Sequence, residues 1–157
     1  MKKTLLLLPA LMLAGCQMLN YHEPGGEDTA TVVFTGNEAA QPVVCVAGRG
    51  FKDTRTSVAV KPWDTNAFNE LFKTMRKAEQ VPVAVAADGQ TRIGVVYNER
   101  DSNMRRNHCR VAVQFNAQAG ASYFAHFTRN EAGQCGLEVR GEDGVQADAV
   151  PVGWDCP

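Results

Sequence analysis

The last third of this chain alternates apolar and polar residues with a period of two. Arg110–Phe115 (RVAVQF), Ser122–Thr128 (SYFAHFT) and Cys135–Arg140 (CGLEVR) each do so, separated by the turn-rich stretches Asn116–Gly120 and Arg129–Gln134. A period of two puts every second side chain on one face, which is how a half-buried strand is written and a helix is not. Gly141-Glu142-Asp143-Gly144 then turns the chain into Val145–Val152, so this third is expected to form a β-meander of three or four strands. Tyr123, Ala125 and Phe127 share one face, and Leu137 and Val139 point inward; His126 takes the opposite phase and reads as a surface or half-buried residue with a hydrogen-bond partner.

Shorter β-runs occupy the middle of the chain: Thr31–Thr35, Pro42–Ala47, Ser57–Lys61, Val81–Ala86 and Thr91–Tyr97. Pro82 has no N–H to give a ladder, which assigns Val81–Ala86 to a sheet edge. The Ala87–Gln90 turn reads as the tip of a hairpin. One segment breaks the period. Phe68, Leu71, Phe72 and Met75 recur at i, i+3, i+4 and i+7 behind a cap at Asp64 or Thr65, which predicts a helix over about 65–79 packed on the sheet. The expected fold is therefore mainly β: a small β-sandwich or partly open barrel with that one helix.

Five cysteines complete the frame. Cys45, Cys109, Cys135 and Cys156 are spaced too widely for a metal knuckle and read as two disulfides of an oxidising compartment. No metal or cofactor is expected. Cys109 shares the inward phase of Val111 and Val113, and Cys135 that of Leu137. The leading pairing is Cys109–Cys135 with Cys45–Cys156. Were both strands to flank a common one in a single sheet, the Cα atoms would stand about 9.5 Å apart, beyond the roughly 7 Å a disulfide spans. The pair thus demands adjacent strands, opposed sheets or a bend at Cys109.

The fifth cysteine, Cys16, closes a different motif. Lys2 and Lys3 precede an apolar run, Thr4–Leu13, too short to cross a bilayer, and small residues follow. Leu13-Ala14-Gly15-Cys16 resembles the lipobox of bacterial lipoproteins. The resemblance implies cleavage of residues 1–15, lipidation of Cys16 and a membrane anchor. Gln17, in place of the aspartate that retains such proteins at the inner membrane, implies the outer membrane of a Gram-negative envelope, facing the periplasm. Residues 16–29, with Pro24-Gly25-Gly26, read as a flexible linker reaching roughly 40 Å, and 30–157 as the periplasmic β-domain. Phe115, Gly120 and Tyr123, behind Cys109, are similar to hairpins of small transthyretin-like envelope lipoproteins over some 30 residues, which implies a fold and no activity.

Of the 16 Lys and Arg, two lie in the signal, so the mature chain carries 14 against 17 acidic residues, a formal charge of −3. That balance gives no reason for a nucleic-acid partner. The charges are unevenly distributed. Arg92, Arg100, Arg105, Arg106 and Arg110 fall within one stretch, whereas Glu131 to Asp155 holds six carboxylates against Arg140. No G-x-S-x-G, S-x-x-K, HExxH, CxxC or P-loop pattern occurs, and the chain is not expected to be an enzyme. The polar, arginine-rich stretch Asn98–Asn107 is longer than an ordinary hairpin loop. It is the expected binding element, with Arg100, Arg105, Arg106 and His108 as its contact residues. The expected role is a lipid-anchored binding or assembly module for an envelope protein partner. The competing expectation is an inhibitor or immunity protein against a lysozyme, amidase or lipase.

Overall fold

The computed structural model describes residues 20–36, 39–54, 80–100 and 106–157. These form nine strands: β1 (Thr29–Thr35), β2 (Ala40–Val46), β3 (Gly50–Asp53), β4 (Gln80–Ala86), β5 (Gln90–Arg100), β6 (Arg106–Asn116), β7 (Ser122–Arg129), β8 (Cys135–Gly141) and β9 (Val150–Pro151). They make a sandwich of two sheets, in the orders β4-β1-β7-β8 and β3-β2-β5-β6-β9. Among the described residues there is no helix. The segments expected as a strand over Ser57–Lys61 and as a helix over 65–79 lie outside them.

The alternation read from the sequence places the core between the sheets. Val32, Phe34, Val83, Val85, Ala125, Phe127 and Val139 on the four-stranded sheet meet Ile93, Val95, Tyr97, Val113 and Phe115 on the five-stranded one, all nearly fully buried. Tyr97 stacks on Phe127 across the gap, and Phe115 meets Tyr123 edge to face. Burying such a side chain contributes roughly 1.5–3 kcal/mol, so this layer is the main source of stability.

The connectivity differs from a meander. β7 and β8 do form a hairpin, but β6 belongs to the opposite sheet, and β7 instead runs parallel to β1, Val33 beside Phe124. β4 and β5 likewise lie in different sheets, so the Ala87–Gln90 turn is a crossover and not a hairpin tip. Alternation specifies which face of a strand is buried but not which sheet it joins, which is why both connections were misread. The expected strand Val145–Val152 is reduced to β9 and a single bridge, Gln146 to Arg140; its residues cross from one sheet to the other.

β4 is an edge strand, as Pro82 requires. Ala87 N–H bonds to the Asp28 carbonyl, and the ladder alternates from there, so the Pro82 nitrogen faces away from β1. The free side is blunted further. Tyr21 Oη donates to the Ala84 carbonyl at 3.0 Å and Thr91 Oγ1 to the Ala86 carbonyl at 2.9 Å. Tyr21 falls within 16–29, yet it is buried and its N–H bonds to the Asp53 carbonyl at 2.8 Å. Free linker therefore does not extend over the whole of that stretch: an aromatic side chain docks wherever an apolar edge and a carbonyl await it. Burial, with the negative charge of Glu23 added, raises the Tyr21 phenol to about 12.

Candidate functional site

The two longest strands, β5 and β6, pair from Gln90–Asn116 to Arg100–Arg106. β2 accompanies β5 only as far as Tyr97, opposite Ala40. β9 accompanies β6 only at Val113 and Gln114. Among the described residues, the last part of the ladder, Asn98–Arg100 with Arg106–His108, therefore extends beyond its sheet neighbours as a two-stranded arm.

This corrects the reading of Asn98–Asn107 as an irregular loop. Its described residues, 98–100 and 106–107, are strand, and 101–105, including Arg105, lie outside the described residues. The reason is physical. An arm solvated on both faces has no apolar side to alternate, so its sequence shows polar residues and no period. Arg100 stands opposite Arg106 in register. Arg106, His108 and Arg110 are exposed and, two residues apart, share the outer face.

The base of the arm is braced. Cys109 is disulfide-bonded to Cys135 of β8, with Cα atoms 6.4 Å apart. The bridge thus joins opposed sheets, the second of the three solutions open to this pair, and the parity of the two strands was a correct guide. Tyr97, 1 % exposed, lies at the same level. Its hydroxyl donates to Glu99, and the Arg129 guanidinium lies over its ring, 5.3 Å from the centroid. That hydrogen bond first, burial second and the Glu99 charge third hold the Tyr97 phenol above its ordinary value. A cation over an aromatic face contributes about 0.5–1 kcal/mol in a partly exposed site.

A second brace crosses the outer face of the five-stranded sheet. After β9 the chain leaves the sheet edge at Gly153, and Trp154 lies over Gly94, stacked on Phe51 with centroids 4.3 Å apart. The Arg110 guanidinium sits 5.3 Å from the Trp154 centroid. Cys156 then bonds to Cys45, Cα atoms 5.7 Å apart. Beneath this strap Val43 and Ala112 are 2 % and 3 % exposed although they face away from the main core. Neither this strap nor the Tyr97–Arg129 contact was foreseen. The available signal was Gly94, a glycine in the run TRIGVVY, which marks a close approach by another group.

At the far end of the same hairpin the charge reverses. Asn116, Gln118, Tyr123, Glu142, Asp143 and Asp148 line an open cleft of about 860 Å³. Ten residues of β6 separate Arg106 from Asn116, roughly 33 Å of strand. The carboxylates of this cleft thus lie at the opposite end of the hairpin from Arg106, whereas Arg92, opposite Gln114, lies near the cleft end and pairs with Asp155 at 3.6 Å, and Arg140 pairs with Glu138 at 2.7 Å. His126, on the outer face of the four-stranded sheet, bonds through Nδ1 to Thr35 Oγ1 at 3.0 Å and is not brought together with the arm residues of the opposite sheet. Among the described residues no group of three or more His, Cys, Asp and Glu side chains is placed to hold a metal ion, and no helix is long and apolar enough to cross a membrane. No family model, no curated protein and no solved structure matches the chain.

Proposed function

We propose that this chain is a lipid-anchored protein-binding module of the bacterial envelope, held to the outer membrane through Cys16 and facing the periplasm, and that the β5–β6 arm is its recognition element. The observation that supports this reading best is the arm itself: a cationic two-stranded projection whose base carries a disulfide, a buried tyrosine stack and a stacked arginine. Beyond what these braces contribute to stability, a rigid base lowers the ordering cost of binding by the projection. Arg106 and Arg110 on and beside the arm, with Glu142, Asp143 and Asp148 at the cleft end of the hairpin, favour a partner with an acidic surface, steered in before contact.

The same shape supports a second reading. A narrow braced arm projecting beyond its sheet is suited to entering a cleft, as an inhibitor or immunity protein against an envelope-attacking hydrolase would.

In-cell crosslinking of the full-length protein followed by mass spectrometry separates the two. Resident envelope proteins at fixed stoichiometry support the assembly module. Recovery of a secreted toxin or lysozyme, only when that agent is present, supports the inhibitor. The anchor is tested separately by Cys16→Ser, which releases a folded domain from washed membranes; retention of the variant there refutes lipid anchoring.

A further inference from the structure

We infer that the free edge of β6 over Arg106–Arg110 is a strand-addition site for an extended partner segment that alternates acidic and apolar residues. The inference rests on the binding-module reading and specifies how the arm would bind and what it would take.

The backbone directions follow from one bond. Val152 N–H donates to the Ala112 carbonyl from the β9 side. Hydrogen-bonding direction alternates residue by residue along an antiparallel ladder, and the β5–β6 register is unbroken. The N–H and C=O groups of Arg110, His108 and Arg106 therefore face the same way as those of Ala112, away from β5. Among the described residues none of these six groups has a partner. Among the described residues, the segment that runs along this edge turns away from it: after β9 the chain is drawn across the outer face by Trp154 and the Cys45–Cys156 bridge.

This edge contrasts with that of β4. There Pro82 removes a donor and Tyr21 and Thr91 occupy two carbonyls, the means by which proteins keep edges from pairing. On β6 no described residue does this.

Side-chain phase gives the partner's chemistry. Arg106, His108 and Arg110 line the outer face, so the partner's outward residues meet two guanidinium groups and should be acidic. On the other face, Cys109 and Val111 are half-buried against the core cluster, so the alternate residues should be apolar. About five residues fill the edge. A second copy of this chain fits poorly, because antiparallel pairing about His108 would set Arg106 against Arg110 of the other copy, and like charges directly opposite are destabilising.

The probe is an end-capped heptapeptide of alternating glutamate and valine, titrated into the intact disulfide-bonded protein. Amide hydrogen exchange should slow at His108 and Arg110 and stay unchanged along β4. His108→Pro transfers the Pro82 device: the lost N–H faces outward, so the β5 ladder persists while peptide affinity falls roughly tenfold. Arg106→Glu should weaken the glutamate peptide and strengthen its lysine counterpart. Equal affinity for wild type and His108→Pro, or equal affinity for a glutamate–proline peptide that cannot pair, overturns strand addition. Should the glutamate–valine peptide bind as described while in-cell crosslinking recovers no envelope protein, the binding-module reading fails and the edge assignment stands. Recovery of a partner whose yield His108→Pro leaves unchanged has the reverse meaning.

Discussion

Removing the bridge at the base of the arm, by Cys109→Ala with Cys135→Ala, separates two roles that the geometry assigns to it. The cysteines are 26 residues apart in sequence. The chain-entropy relation for a loop of that size gives a loss of about 3.5 kcal/mol at 25 °C, a large part of the 5–15 kcal/mol a domain typically has. For a domain of this length it corresponds to a fall in Tm of roughly 12 °C. The outer bridge closes a loop of 111 residues, about four times longer, yet the logarithm raises its contribution only to about 4.8 kcal/mol. Urea denaturation followed by tryptophan fluorescence reads both numbers. Exchange should also show the arm amides losing protection in the Cys109→Ala/Cys135→Ala variant while β1 and β7 keep theirs. A loss below about 1 kcal/mol, or arm protection equal to wild type, refutes the argument that this bridge both constrains the unfolded chain and braces the arm.

Other residues give further tests. A Cβ at Gly94 would lie 2.8 Å from the Val111 carbonyl and 3.2 Å from the Trp154 ring, so Gly94→Ala should cost about 1–3 kcal/mol and red-shift Trp154 emission; an unshifted spectrum contradicts the strap. Tyr21, raised to about 12, favours the folded state fully below pH 10, and the benefit is lost as pH rises through 12. The stability difference between wild type and Tyr21→Phe should therefore shrink by about 2–3 kcal/mol over that window, and a flat difference rejects the buried-phenol account. Pro82→Val restores an outward donor on the β4 edge and should raise self-association in analytical ultracentrifugation; a strictly monomeric variant argues that Tyr21 and Thr91 protect the edge alone.

The sequence was legible wherever one face of a strand is buried and the other wet. Val32 and Phe34, Tyr123 and Phe127, Leu137 and Val139 all declare their phase, and through phase the disulfide pairs. It was illegible where the pattern carries no such information. Nothing local distinguishes β6 from β7 as members of different sheets, because sheet membership depends on partners far away in the chain. The arm reads as loop in the sequence, since Glu99, Arg106 and His108 have no buried face to reveal their strand. Tyr21 was hidden inside a polar, glycine-bearing stretch, its docking decided by Asp53 and Ala84. The strap was signalled only by Gly94.

The proposal that the β5–β6 arm is the surface this protein presents to a partner can be examined by photo-crosslinking in living cells. A photoreactive benzoylphenylalanine at position 106 is compared with one at position 140, on the outer face of the opposite sheet. A discrete crosslinked protein is expected from position 106 and none from position 140. Equal yields from both positions, or a product from position 140 alone, would contradict it.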